Sequence, residues 1–190
     1  MNVPNKLTLS RLFITVAFVF VMDIKFPFAS TVALILFCIA SFTDFLDGHI
    51  ARKNRIITNF GILMDPLADK ILTCWAFIVF VELGKISAWM VGLIVAREFA
   101  ITGLRLLAAA QNNIIAADRW GKYKTISQIV CIISILVGLS YPNWGQWGTF
   151  IFGAWAQYFI TLSIWVCTLL TIISGTLYLW KNRELYLKEL

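Results

Sequence analysis

The sequence predicts an all-α integral membrane protein: a single domain over residues 1–190, built as a six-transmembrane-helix bundle with both termini cytoplasmic. Three observations carry that expectation. Sixty per cent of the 190 residues are hydrophobic and 14% are charged, against about 45–50% and roughly 25% in a soluble domain. The mean hydropathy is +0.82. The apolar residues fall into runs near the roughly 20 residues that a helix needs to cross about 30 Å of hydrocarbon. A chain of this size cannot hide so much apolar surface inside itself, so most of it must face lipid. A soluble enzyme, a secreted disulfide scaffold and a disordered tail are excluded.

The runs are 8–22, 29–51, 62–82, 86–109, 122–140 and 155–179. The first is short and has Lys6 and Arg11 at its start, like a signal peptide, but no small-x-small cleavage site follows, so it reads as a retained span. The termini and the even-numbered loops carry Lys6, Arg11, Arg52, Lys53, Arg55, Arg105, Arg119, Lys122, Lys124, Lys181, Arg183 and Lys188, whereas the opposite loops carry only Lys25 and Lys85. Basic residues flanking spans mark the cytoplasmic side. That explains the formal charge of +6 without a nucleic-acid partner. The connection from Ser140 to Ala154 is uncharged, and its Trp144 and Trp147 suit a headgroup-level belt. Cys38, Cys74, Cys131 and Cys167 lie far apart inside apolar runs, with no zinc-site spacing. They read as small hydrophobes.

Charge inside a span is costly and marks function by default. Span 2 carries Asp44 and Asp47, span 3 Asp65 and Asp69, and span 4 Arg97 and Glu98. At about 100° per residue, Asp47, Gly48, Ala51 and Arg52 all fall within about 80° of Asp44 on one face of span 2. Gly61, Asp65 and Asp69, at four-residue intervals, share a face of span 3. Pro66 either kinks that helix or marks its first turn. Four carboxylates in a low-dielectric bundle repel one another unless cations join them. Oxygen-only ligands point to hard Mg²⁺ or Mn²⁺, and two such ions about 3.5–4 Å apart suit displacement at phosphorus. Arg52 can neutralise a further phosphate charge and Gly48 leaves room beside it. The residues alone thus describe a two-metal phosphoryl-transfer site at the cytoplasmic membrane face.

Asp44-x-x-Asp47-Gly48-x-x-Ala51-Arg52, eight residues, then Gly61-x-x-x-Asp65-x-x-x-Asp69 resembles the full signature of the CDP-alcohol phosphatidyltransferase family. All eight fixed positions match. The resemblance implies a six-helix, usually dimeric membrane enzyme, a homodimer here, that joins a CDP-linked donor to an alcohol and releases CMP. It implies Asp44, Asp47, Asp65 and Asp69 as metal ligands, with Asp69 also the general base, and Gly48, Ala51, Arg52 and Gly61 in the CDP pocket. Pro4-Asn5-x-x-Thr8-x-x-Arg11 resembles the family's amino-terminal element, which adds Asn5 and Thr8 to that pocket; its bland reading is an ordinary helix start.

The rest of residues 2–128 resembles the bacterial branch that uses CDP-diacylglycerol and glycerol 3-phosphate at the inner membrane. Asp65-Pro66-Leu67-Ala68-Asp69-Lys70, Ala96-Arg97-Glu98 with Leu104-Arg105, and Gly121-Lys122-x-Lys124-Thr125-x-x-Gln128 carry that likeness. The last two spans offer only hydrophobicity. Independently, Arg97 and Arg105 stand eight residues apart, about 80° on a helix, and with Lys122 and Lys124 form candidate ligands for an acceptor phosphate. Choline, ethanolamine or inositol would not need so many cations, whereas inositol phosphate would. The bland reading is positive-inside topology plus an Arg97–Glu98 pair. His49 is the only histidine and falls away from the acids, which excludes a two-histidine covalent route. A divalent-cation transporter is the rival of a different class, but it has no use for Gly48, Ala51 and Arg52 beside the acids. A dead scaffold would be expected to have lost an aspartate.

Overall fold

The computed structural model describes residues 3–24, 26–54, 59–110 and 119–183, with side chains described for 9–24, 26–43, 70–109 and 119–183. Among the described residues every regular element is helical: α1 (Val3–Asp23), α2 (Ala29–Asn54), α3 (Asn59–Glu82), α4 (Ala88–Ala110), α5 (Arg119–Ser140), a 3-10 turn (Tyr141–Trp144), α6 (Gly145–Phe152) and α7 (Ala156–Lys181). The six long helices fall on the six apolar runs. Two stretches, Arg119–Phe152 and Ala156–Lys181, are long and apolar enough among the described residues to cross a membrane.

The connection after Ser140 is itself helical. Tyr141–Trp144 and α6 fold it into helical turns, because Pro142 is compatible with a first turn and Gly145, at φ +73°, makes a bend that a side chain would strain. Trp144 is only half exposed: its Nε1 donates to Thr31 Oγ1 of α2 at 3.0 Å, and its ring meets Phe152 edge-on. Trp147 remains outside. Pro66 lies inside α3 rather than in its first turn, since that helix begins at Asn59.

Short connections reverse the chain between α1 and α2 and between α3 and α4. The second is a glycine-capped stop. Gly84 takes φ +64°, its N–H donates to Val81 O at 3.0 Å, and Lys85 N–H donates to Phe80 O at 2.8 Å. This pair of bonds satisfies the last carbonyls of α3.

One apolar core draws on all six long helices, with Phe18 from α1, Phe37 from α2, Phe77 and Phe80 from α3, Ile94 from α4, Ile132, Ile135 and Leu136 from α5 and Cys167 from α7. Helix α1 packs on α2 and α3, α5 on α2, α3 and α7, and α4 on α3 and α7. Around this core the soluble pattern is inverted. Arg11, Glu98, Lys124 and Gln128 are buried, whereas Phe13, Trp147, Phe150 and Tyr158 stand mostly exposed. Large apolar groups outside and paired polar groups inside are what a lipid solvent selects.

Candidate active site

The chain's alternation brings particular helix ends together. The start of α1, the end of α2, the start of α3, the end of α4 and the start of α5 carry the residues singled out from sequence. Asn5 and Thr8 lie in the opening turns of α1; Asp44, Asp47, Gly48, Ala51 and Arg52 lie in the last part of α2; Gly61, Asp65 and Asp69 lie in the first half of α3. Their side chains are outside the described residues. The helices that bear them are continuous, so three- and four-residue spacing keeps each set on one side of its helix. Helix α1 contacts both signature helices, and Arg11, one turn after Thr8, is buried.

The first described side chain after Asp69 reaches across to α4. Lys70 Nζ donates to Thr102 Oγ1 and to Glu98 O at 3.4 Å, and lies 3.9 Å from Glu98 Oε2. Thr102 Oγ1 donates in turn to Glu98 O at 2.7 Å. The acidic stretch of α3 is therefore tied to α4 at Glu98.

Glu98 is the hub of a cationic cluster. Its Oε1 accepts from Lys124 of α5 and from Arg97 Nη1 at 3.5 Å. Glu98 and Lys124 are both buried, at 7% and 3% exposure, so neither charge is relieved by bulk water. The expected Arg97–Glu98 pair is present, and among the described residues the same carboxylate also meets Lys124 and Lys70. Arg105, two turns farther along α4, adds a fourth among the described residues. Arg97 and Lys124 around Glu98, with Arg105 exposed at the edge, make a setting that favours an anion. Lys122 stands exposed, one position past Gly121 in the first turn of α5.

Helix α7, apolar by sequence, supplies polar partners that sequence reading missed. Ser174 Oγ accepts from Arg97 Nη2 at 3.0 Å, and Tyr178 Oη accepts from Arg105 Nε at 3.1 Å. Between them, Gly175 leaves the space in which the Arg97 stem lies: a Cβ there would sit 3.0 Å from Arg97 Cγ. Ser174 and Tyr178 are four residues apart and so share a face, which was the one available sequence signal. Arg97 Nε is buried without a hydrogen-bond partner. The arrangement brings Arg97 and Lys124 together at Glu98 and places Arg105 along the same α4–α7 seam.

Helices α2 and α3 carry the four aspartates along unbroken helical stretches, and Arg97, Arg105 and Lys124 lie on α4 and α5. Comparisons with known proteins place the chain in a family. Residues 1–172 match the CDP-alcohol phosphatidyltransferase family model. A CDP-diacylglycerol–glycerol-3-phosphate 3-phosphatidyltransferase of Bacillus subtilis is 38% identical over 96% of each chain. Proteins of the same name from Rickettsia bellii and Salmonella typhimurium are 34% identical over 93% of each chain and 36% identical over 71% of this chain and 76% of theirs.

Proposed function

The chain belongs to the CDP-alcohol phosphatidyltransferase family, and from that membership we propose that it moves the phosphatidyl group of CDP-diacylglycerol onto sn-glycerol 3-phosphate. The products are phosphatidylglycerol phosphate, a phospholipid precursor, and CMP. The observation that carries the acceptor is the gathering of Arg97, Arg105 and Lys124 along the seams of α4 with α5 and α7. An alcohol with its own phosphate has a use for Arg97, Arg105, Lys122 and Lys124; an uncharged alcohol does not. The relatives' names favour glycerol 3-phosphate over inositol phosphate.

Asp44, Asp47, Asp65 and Asp69 would hold Mg²⁺ or Mn²⁺, two ions per site. The donor set fits hard cations, being oxygen-only and repeated at helical spacing on two unbroken helices. When bound, the metal supplies charge neutralisation at the diphosphate. Asn5, Thr8, Gly48, Ala51, Arg52 and Gly61 would line the CDP pocket. Arg97 and Arg105 grip the acceptor phosphate, Lys122 lies at the exposed mouth, and Lys124 contributes its charge from within. Asp69 takes the proton of the acceptor's primary hydroxyl as that oxygen attacks the diacylglycerol-side phosphorus. The bond to the CMP oxygen breaks, and CMP leaves with the electron pair. The residues' part is positioning and charge stabilisation.

We place this chemistry at the cytoplasmic face of the inner membrane, in a single six-span domain with cytoplasmic termini that works as a homodimer. The test is CMP release by purified protein in detergent, with CDP-diacylglycerol and Mg²⁺, comparing glycerol 3-phosphate, inositol phosphate, serine and no acceptor. Release that requires glycerol 3-phosphate, and that EDTA or Asp69→Asn abolishes, is the expected result. Release only with another alcohol discards the acceptor. No release with any, from folded protein that binds Mg²⁺, returns the transporter reading.

A further inference from the structure

Helix α7 past residue 172 lies outside the family match, yet its last turns face both arginines of α4. The two arginines are held in complementary ways. Arg105 is held by its Nε, which donates to Tyr178 Oη at 3.1 Å, with the guanidinium carbon 5.5 Å from the centre of the Tyr178 ring. Its Nη groups make no hydrogen bond among the described residues, and the side chain is exposed. The end-on pair of donors is thus left for a ligand. Arg97 is held by its Nη groups, one on Glu98 and one on Ser174, and its buried Nε is the donor without a partner.

Tyr178 is itself fixed. It is buried, and it clusters with Ile101 and Leu104 of α4, so its hydroxyl is held at a set place relative to α4. Gly175 admits the Arg97 stem against α7, where any side chain would press on Arg97 Cγ. A planar guanidinium recognises phosphate only when its fork is aimed, and here the aiming groups come from α7.

We propose that Ser174, Gly175 and Tyr178 are positioning residues of the acceptor pocket: Tyr178 orients Arg105 so that its open fork meets the acceptor phosphate, and Ser174 and Gly175 hold Arg97 so that its charge stands beside that fork. This rests on the reading that those arginines bind that phosphate. It makes α7 part of acceptor selection, although it carries no charged residue in the turns concerned.

The experiment measures KM for glycerol 3-phosphate and for CDP-diacylglycerol separately, on the full chain in mixed micelles. Tyr178→Phe keeps the ring and removes the hydroxyl. It raises the acceptor KM about three- to tenfold, a fraction of the effect of losing a hydrogen bond to a charged group, and leaves the donor KM in place. Ser174→Ala acts in the same direction and Ser174→Thr, which keeps the hydroxyl, restores affinity. Tyr158→Phe, on the exposed side of α7, moves neither KM. In an Arg105→Ala background, Tyr178→Phe adds nothing further, because there is no fork left to aim.

An acceptor KM raised by Arg105→Ala but unmoved by Tyr178→Phe overturns the positioning role and spares the acceptor reading. Both KM values rising together in Tyr178→Phe, or additive effects in the double variant, also overturn it. If Arg97→Ala and Arg105→Ala leave the acceptor KM unchanged in folded protein, the acceptor reading itself fails and takes the proposal with it.

Discussion

Glu98 shows how a single residue sets the energetics of the site. Its carboxylate faces Lys124, Arg97 and Lys70, and two of those cations sit on other helices. Removing one partner of a buried ion pair leaves the rest uncompensated and costs about 3–5 kcal/mol. Glu98→Gln keeps the volume but not the charge, so its thermal unfolding midpoint in detergent should fall clearly below that of the parent. Adding Lys124→Met should recover part of the loss, because the unpaired ammonium goes and its stem is replaced by an apolar one. A midpoint unchanged by Glu98→Gln would show that the cluster is solvated and that its positive charge is not held in a low dielectric.

The six long helices were legible because each depends on a run of apolar residues, a signal that survives without tertiary context. The positions of the four aspartates on α2 and α3 follow from the same runs, whereas their side chains lie outside the described residues. The role of α7 was not legible, since Ser174 and Tyr178 gain meaning only when Arg97 and Arg105 are packed opposite. The helical turns after Ser140 were hidden too, as α6 has only eight residues and depends on its neighbours. Gly148 is one such dependence. A Cβ there would lie 2.3 Å from the Tyr141 carbonyl oxygen, whereas a Cβ at Gly138 would meet only Cδ1 of Ile160, the free end of a side chain. Alanine gains about 1 kcal/mol of helix propensity over glycine at either site. At Gly148 the steric shift of about 1–3 kcal/mol outweighs that gain; at Gly138 a rotamer change absorbs the contact. Gly148→Ala should therefore lower the unfolding midpoint and Gly138→Ala should leave it nearly unchanged. Equal effects would mean that α6 does not pack on the 3-10 turn as described.

At the scale of the molecule, the two ends of the bundle differ in kind. One end gathers the signature residues, Glu98 and its cations. The other holds the Gly84 turn, the Trp144–Thr31 hydrogen bond and the exposed Trp147 and Phe150, with no charged side chain between Ser140 and Ala154. Positive charge is retained on the cytoplasmic side of a membrane, and a water-soluble anionic acceptor is met there as well, so both arguments turn the charged end inward. The proposed topology then has a direct consequence for reporters that are active only in the cytoplasm. A reporter fused after Leu190 should be active, and one inserted at the Gly84 turn or between Phe152 and Ala156 should be silent. Activity at all three positions would sink the six-span topology, because α3 and α7 could not then both cross. The reverse pattern, silent at Leu190 and active at the turns, would keep the six spans but invert them, and would move the phosphatidyl transfer to the face where neither the cation bias nor the acceptor's charge places it.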